Sequence, residues 1–183
     1  MGKPHFICIS GKARSGKDTS AKLLKSCLDD KGYSTIIVHY ADLLKFMCKT
    51  YFGWDGKKDD AGRSLLQHIG TDRVRRDNPN YWVDFVIQTV LMFEEKWDFV
   101  IVADARFENE IERVKEAGFG VTHVRVVRPE FDSDLSDEQK SHVSETAMND
   151  VKPDRWIFNN DMSGLEEDVK KLAVHAIWKK FRE

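Results

Sequence analysis

Residues Ile9–Lys22 read ISGKARSGKDTSAK. Gly11, Gly16 and Lys17 stand at the fixed positions of the phosphate-binding pattern G-x-x-x-x-G-K-S/T, which fails only at its last place. Asp18 stands where a hydroxyl is expected, and Thr19 brings the hydroxyl one residue late. The run before it, HFICIS (His5–Ser10), is short and apolar, as a buried strand is. After it, Ala21, Leu23, Leu24 and Leu28 recur at helical spacing from Asp18 to Leu28, and Gly32 closes the segment. A glycine turn leading from strand to helix points backbone N–H groups inward, and the helix N-terminus adds its positive end. That context makes the string a phosphate site and sets the fold class.

Working outward, strands and helices alternate. STIIVHYA (Ser34–Ala41) is a second strand, followed by a helix carrying Leu43, Leu44, Phe46 and Met47 that Asp42 could cap. The glycine-containing stretch GWDGKKDDAGR reads as a mobile connection. Helices over 63–76 and 81–96 flank Asn78-Pro79-Asn80, and DFVIVADAR (Asp98–Arg106) is the most continuously apolar strand. A helix over 107–117, a strand VTHVRVV (Val121–Val127), a polar stretch 129–140, a strand RWIFNN (Arg155–Asn160) and a helix over 165–181 complete the order. Such alternation implies right-handed crossovers and a parallel sheet covered on both faces. The expectation is one α/β domain over residues 1–183 with a five-stranded parallel sheet.

Bulk numbers narrow the class. The chain has 183 residues, 41% hydrophobic and 33% charged, the balance of an ordinary globular protein. A net charge of −2 argues against a general nucleic-acid or membrane-surface binder. Cys8, Cys27 and Cys48 form no C-x-x-C pair and suggest neither a disulfide framework nor a zinc site. No apolar run approaches the ~18 residues of a membrane span, and a cytoplasmic location is expected.

The chemistry gathers at the strand ends. Asp104 closes the apolar run FVIVA at the edge where ligands of parallel sheets collect, and a carboxylate there can hold magnesium. Arg106, two residues on, suits the charge that spreads over a moving phosphoryl group, or else forms a surface ion pair with Glu108 or Glu110. Asp18, Thr19 and Asp104 are the candidate metal ligands. The basic run Arg73, Arg75, Arg76 is either a phosphate contact or a solvated helix end. His142 reads as structural or functional with equal weight. Trp82, Phe85, Val86 and Leu91 have core spacing, and Trp97, Trp156 and Trp178 read as packing residues.

ISGKARSGKDT, RSLLQHIGTD with NYWV, FVIVADARFENEIERVKEAG, VTHVRVVRP, and SHVSETAMND with WIFNND occur in one order over most of the chain. Together they resemble the bacteriophage-type deoxynucleoside monophosphate kinases, whose fold is the P-loop kinase three-layer α/β/α sandwich. The resemblance implies phosphoryl transfer from ATP to a deoxynucleoside monophosphate with magnesium. It places ATP on Gly11, Lys12, Ala13, Arg14, Ser15, Gly16, Lys17, Asp18 and Thr19, and catalysis on Lys17, Asp104 and Arg106. It places the acceptor on helices over about 42–96, through Asp42, Lys45, Arg63, Gln67, Arg75, Arg76 and Arg106. A lid falls on about 128–145, with Arg128, His142, Ser144 and Glu145. Partners are then small nucleotides, with no nucleic acid and no membrane, and a homodimer is compatible.

This chain departs from that family in lacking a long insertion before the R-x-L-L-Q helix. It carries Asp42-Leu43 where Gly-Pro is common, and its lid is acidic at Glu130, Asp132, Asp134, Asp137 and Glu138. Animal-type phosphomevalonate kinases share S-G-K-x-x-S-G-K-D and the aspartate–x–arginine strand end, and stand as the alternative. A non-catalytic ATP-binding regulator is the third reading.

Overall fold

The computed structural model describes residues 2–129 and 135–182. The acidic lid positions Glu130, Asp132 and Asp134 lie outside the described residues. Five strands form one parallel sheet: β1 (His5–Ser10), β2 (Thr35–Val38), β3 (Phe99–Ala105), β4 (Val121–Val127) and β5 (Arg155–Phe158), in the order β2-β3-β1-β4-β5. β1 is central, and Ile7 registers with Ile101 on one side and Thr122 on the other.

The strand period of two sorts the apolar residues onto both faces. Phe6, Cys8, Val100 and Val102 face one layer, with Leu44 of α2 (Ala41–Tyr51) and Trp82, Val83 and Val86 of α4 (Tyr81–Met92). Ile7, Ile9, Phe99 and Ile101 face the other, with Ala21, Leu24 and Leu28 of α1 (Lys17–Asp29) and Leu165, Val169 and Leu172 of α8 (Met162–Lys180). Each fully buried Leu, Ile, Val or Phe is worth about 1.5–3 kcal/mol, so this double-faced burial is what holds the sheet between its helices. Two histidines also cross from β1 to β4: His5 bonds Thr122 at 2.8 Å and His123 bonds Ser10 at 2.8 Å. Burial pushes His5 down to about 3 and His123 down to about 4, so both are neutral pairing groups of the core.

Several boundaries differ from the sequence reading. β2 stops at Val38 because the N–H groups of Tyr40 and Ala41 turn away to Asp104 and open α2. Asp42 therefore does not cap that helix, whose N-cap residue is Tyr40. The stretch expected to be mobile is pinned: Trp54 is buried, donates to Lys57 O at 2.8 Å, and sits on Gly62. α3 (Asp60–Gln67) starts where Asp59 accepts from Gly62 N, and its continuation His68–Arg75 winds as a π-helix. The helix after Asn80 ends at Met92, with a 3-10 turn over Glu94–Lys96. α5 covers Glu108–Glu116, and the polar stretch after β4 contributes α6 (Asp137–Ser141) and α7 (Val143–Thr146).

Trp82 is core as expected, but Phe85, Leu91, Trp156 and Trp178 are exposed, because α4 and α8 each bury only one stripe and β5 is an edge strand. The three cysteines are free. Among the described residues no helix is long and apolar enough to cross a membrane.

Candidate phosphate-binding site

The loop Gly11–Gly16 hangs between β1 and α1 in a backbone shape that few residues adopt. Gly11, Arg14 and Gly16 all have positive φ, at 146°, 59° and 105°. A Cβ on Gly11 would run into the carbonyl oxygen of Val126, and one on Gly16 into the amide of Asn159. Glycine is needed at both for conformation and for space. Asn159, just past β5, fixes the loop from outside by donating Nδ2 to Ser15 O at 2.9 Å.

Lys17 is buried under this loop and donates Nζ to Gly11 O and Lys12 O, each at 2.7 Å. Burial first, and then the Arg106 charge, lower its pKa to about 8. Ser15 Oγ is buried and makes no hydrogen bond among the described residues. A buried donor without a partner is costly, so the loop is shaped for an acceptor that arrives from outside. Asp18 and Thr19 are exposed on the first turn of α1.

The strand end beside the loop is equally committed. Asp104 accepts from Tyr40 N at 2.8 Å and from Ala41 N at 3.1 Å, so it caps α2 from another element. Arg106 turns its side chain toward α7: Nη1 donates to Ser144 O at 2.9 Å and pairs with Glu145. Its partner is therefore Glu145, neither Glu108 nor Glu110. Glu110 instead accepts the backbone N–H of Arg106 at 2.8 Å and of Phe107 at 3.1 Å.

Glu145 also reaches the loop, accepting from Ala13 N at 3.2 Å. His142 aims it: Nδ1 accepts from Ser144 N at 3.2 Å, which caps α7 and leaves Nε2 toward Asp72 at 3.4 Å. The H-x-S-E string is thus a capped turn that directs a carboxylate inward. A cavity of about 350 Å³ opens here, between the loop, Arg106, Arg125, Arg128, Glu145 and Trp156.

On the other side of α1, His39 lies between Asp18 at 3.1 Å and Asp42 at 3.3 Å, and Lys45 pairs with Asp42 at 3.0 Å. Arg63 and Gln67 are half-buried, four apart on α3. Arg75 and Arg76, expected on the acceptor, have protein partners. Arg75 is buried, donates to Glu110 at 3.0 Å and Asn109 at 2.7 Å, and stacks on Phe107 at 3.6 Å. Burial lowers its pKa, and burial raises Glu110 to about 7 against the pull of Arg75. Arg76 pairs with its neighbour Asp77 on the surface.

Sequence reasoning missed Asn159, Asn109, His39 and Arg125. Arg125 gathers the carbonyls of Met148, Asn149 and Val151 and so holds the turn after α7. All four depend on neighbours distant in the chain.

The candidate metal ligands offer hard oxygens, and among the described residues no group of three or more His, Cys, Asp or Glu could hold a metal. That donor set fits a magnesium ion that keeps its waters and comes in with substrate phosphates, rather than one in a protein cage.

Comparison with known proteins bears on the family and the fold. The family model for deoxynucleotide monophosphate kinase matches residues 49–171. A protein of Acanthamoeba polyphaga mimivirus carrying that kinase name is 29% identical over 182 residues, covering 85% of this chain and 88% of the relative. The deoxynucleotide monophosphate kinase of Enterobacteria phage T4 is 30% identical over 112 residues, covering 60% of this chain and 43% of the phage protein. Among solved structures, Mycobacterium tuberculosis APS kinase in complex with AMPPNP and APS matches with TM-score 0.53 at 14% identity, over 100% of both chains. Aquifex aeolicus shikimate kinase matches with TM-score 0.52 at 17% identity, over 96% of this chain and 98% of the other. The fold is that of the P-loop kinases.

Proposed function

We propose that this chain, which belongs to the deoxynucleotide monophosphate kinase family, transfers the terminal phosphate of ATP to a deoxynucleoside monophosphate. The observation that carries the reading is the buried, unpartnered Ser15 Oγ in a loop shaped by Gly11 and Gly16, with Lys17 beneath and Arg106 opposite. An anion with several oxygens satisfies all of these at once.

The acceptor of such a transfer is already an anion, so no strong general base is required. Lys17 and Arg106 are the cations that follow charge between donor and acceptor, and the loop amides hold the donor in line. Lys17 would exchange its two carbonyl contacts for phosphate oxygens, which costs little because the ammonium is already desolvated. Asp18, Thr19 and Asp104 would hold magnesium, which when bound neutralises charge on the outer phosphates. Asp104 keeps α2 facing the cleft, so Asp42 and Lys45 stand on the acceptor side with Arg63 and Gln67. The chain would act as a single domain, with the segment around 128–145 excluding water from the donor phosphates.

The test is ADP release from ATP across dAMP, dCMP, dGMP, dTMP, the ribonucleotides and phosphomevalonate. Turnover with at least one deoxynucleoside monophosphate is expected. Turnover confined to phosphomevalonate would move the chain to the metabolite kinases, and ATP binding without any turnover would make it a regulator.

A further inference from the structure

A carboxylate already stands where the proposed function puts a phosphate. Glu145 is 8% exposed, accepts from Ala13 N and pairs with the Arg106 guanidinium. It lies near enough to Lys17 to act on that ammonium's charge. Ser15, whose hydroxyl is unpartnered, lines the same cavity. One side chain therefore collects an inward backbone N–H, a guanidinium and a nearby ammonium, which is the donor set of a phosphate oxygen pair. A carboxylate has only two oxygens, and the Ser15 hydroxyl is left over.

We propose that Glu145 is a built-in placeholder for a nucleotide phosphate, holding Arg106 over the loop in the resting protein and giving way when a triphosphate enters. This rests on reading Gly11–Thr19 as the ATP phosphate site. Like charges this close repel strongly in a partly buried setting, so Glu145 and an incoming phosphate do not share the place. Apparent affinity then falls by the fraction of protein whose site is already filled. The placeholder thus lowers the affinity of every phosphate ligand that needs its place by the same factor, and it keeps Arg106 preset across the cleft.

Two variants separate charge from shape. Glu145→Gln keeps the size of the side chain and its ability to accept from Ala13, and Glu145→Ala removes both. Binding of AMPPNP with magnesium, and of inorganic tripolyphosphate, is measured by calorimetry, with thermal unfolding of the free proteins alongside. Both variants should bind both ligands about threefold to tenfold more tightly, while the free proteins melt at lower temperature than wild type. A merely structural Glu145 would move affinity and melting in the same direction. Equal or weaker binding by both variants, with wild type binding normally, overturns the placeholder alone. Wild type that binds neither ligand overturns the phosphate-site reading and the placeholder with it.

Discussion

Two arginine–glutamate pairs meet at Arg106, whose backbone N–H donates to Glu110 and whose side chain pairs with Glu145, and they differ in what surrounds them. Arg75 and Glu110 are 9% and 4% exposed, and Arg75 Nη1 and Nη2 and both Glu110 oxygens have partners in the protein. Arg106 and Glu145 are 34% and 8% exposed, and their contacts run to a loop amide and a capped turn. The first pair has nowhere to go and fixes the start of α5. The second borders a cavity and can exchange partners. Identical side-chain chemistry is thus structure in one place and site in the other, and the surroundings decide which.

Breaking the inner pair should give the largest effect. Glu110→Ala leaves a buried guanidinium without its charge partner, and urea unfolding should show a loss of about 3–5 kcal/mol. Replacing both partners with apolar residues should recover only part of that loss, because the N–H groups of Arg106 and Phe107 then lose their acceptor. If Glu110→Ala changes stability by less than about 1 kcal/mol, the two pairs do not differ as described.

Breaking the outer pair should leave folding nearly intact and strike turnover. Arg106→Gln is expected to lower kcat about 100-fold to 1000-fold, the usual cost of removing a donor aimed at developing charge. Its melting temperature should stay within about 2–4 °C of wild type, as for the loss of an ion pair worth about 1 kcal/mol or less. A variant that unfolds instead would place Arg106 with Arg75.

The smallest effect is a pH response beside the outer pair. Lys17, lowered to about 8 by burial and by Arg106, carries its charge below that pH and loses it above. kcat/KM for ATP should therefore fall as pH rises past about 8, approaching tenfold per unit. The fall in kcat should come at higher pH, because bound phosphate restores the proton. A kcat/KM flat to pH 9 would mean that Lys17 is not held in this buried setting.

The sheet was legible because buried parallel strands read as continuous apolar runs, and β1 and β4 end where the sequence places them. The loop was legible because glycine spacing and a lysine encode it locally. Arg75 was not: its side chain turns inward because His68–Arg75 winds as a π-helix, and helical periodicity assumes the tighter α repeat. The end of β2 was missed because the capture of Tyr40 and Ala41 by Asp104 depends on a residue more than sixty places away. Glu145 was placed in a lid by the family resemblance, while its contact with Ala13 exists only in three dimensions.

All six residues of β1 are buried, and the phosphate loop is its direct continuation. Amides of that strand can meet solvent deuterium only when the whole sheet comes apart, so the loop's root belongs to the slowest-exchanging part of the molecule. The site should therefore survive warming without gradual loss and disappear in a single step with the fold itself.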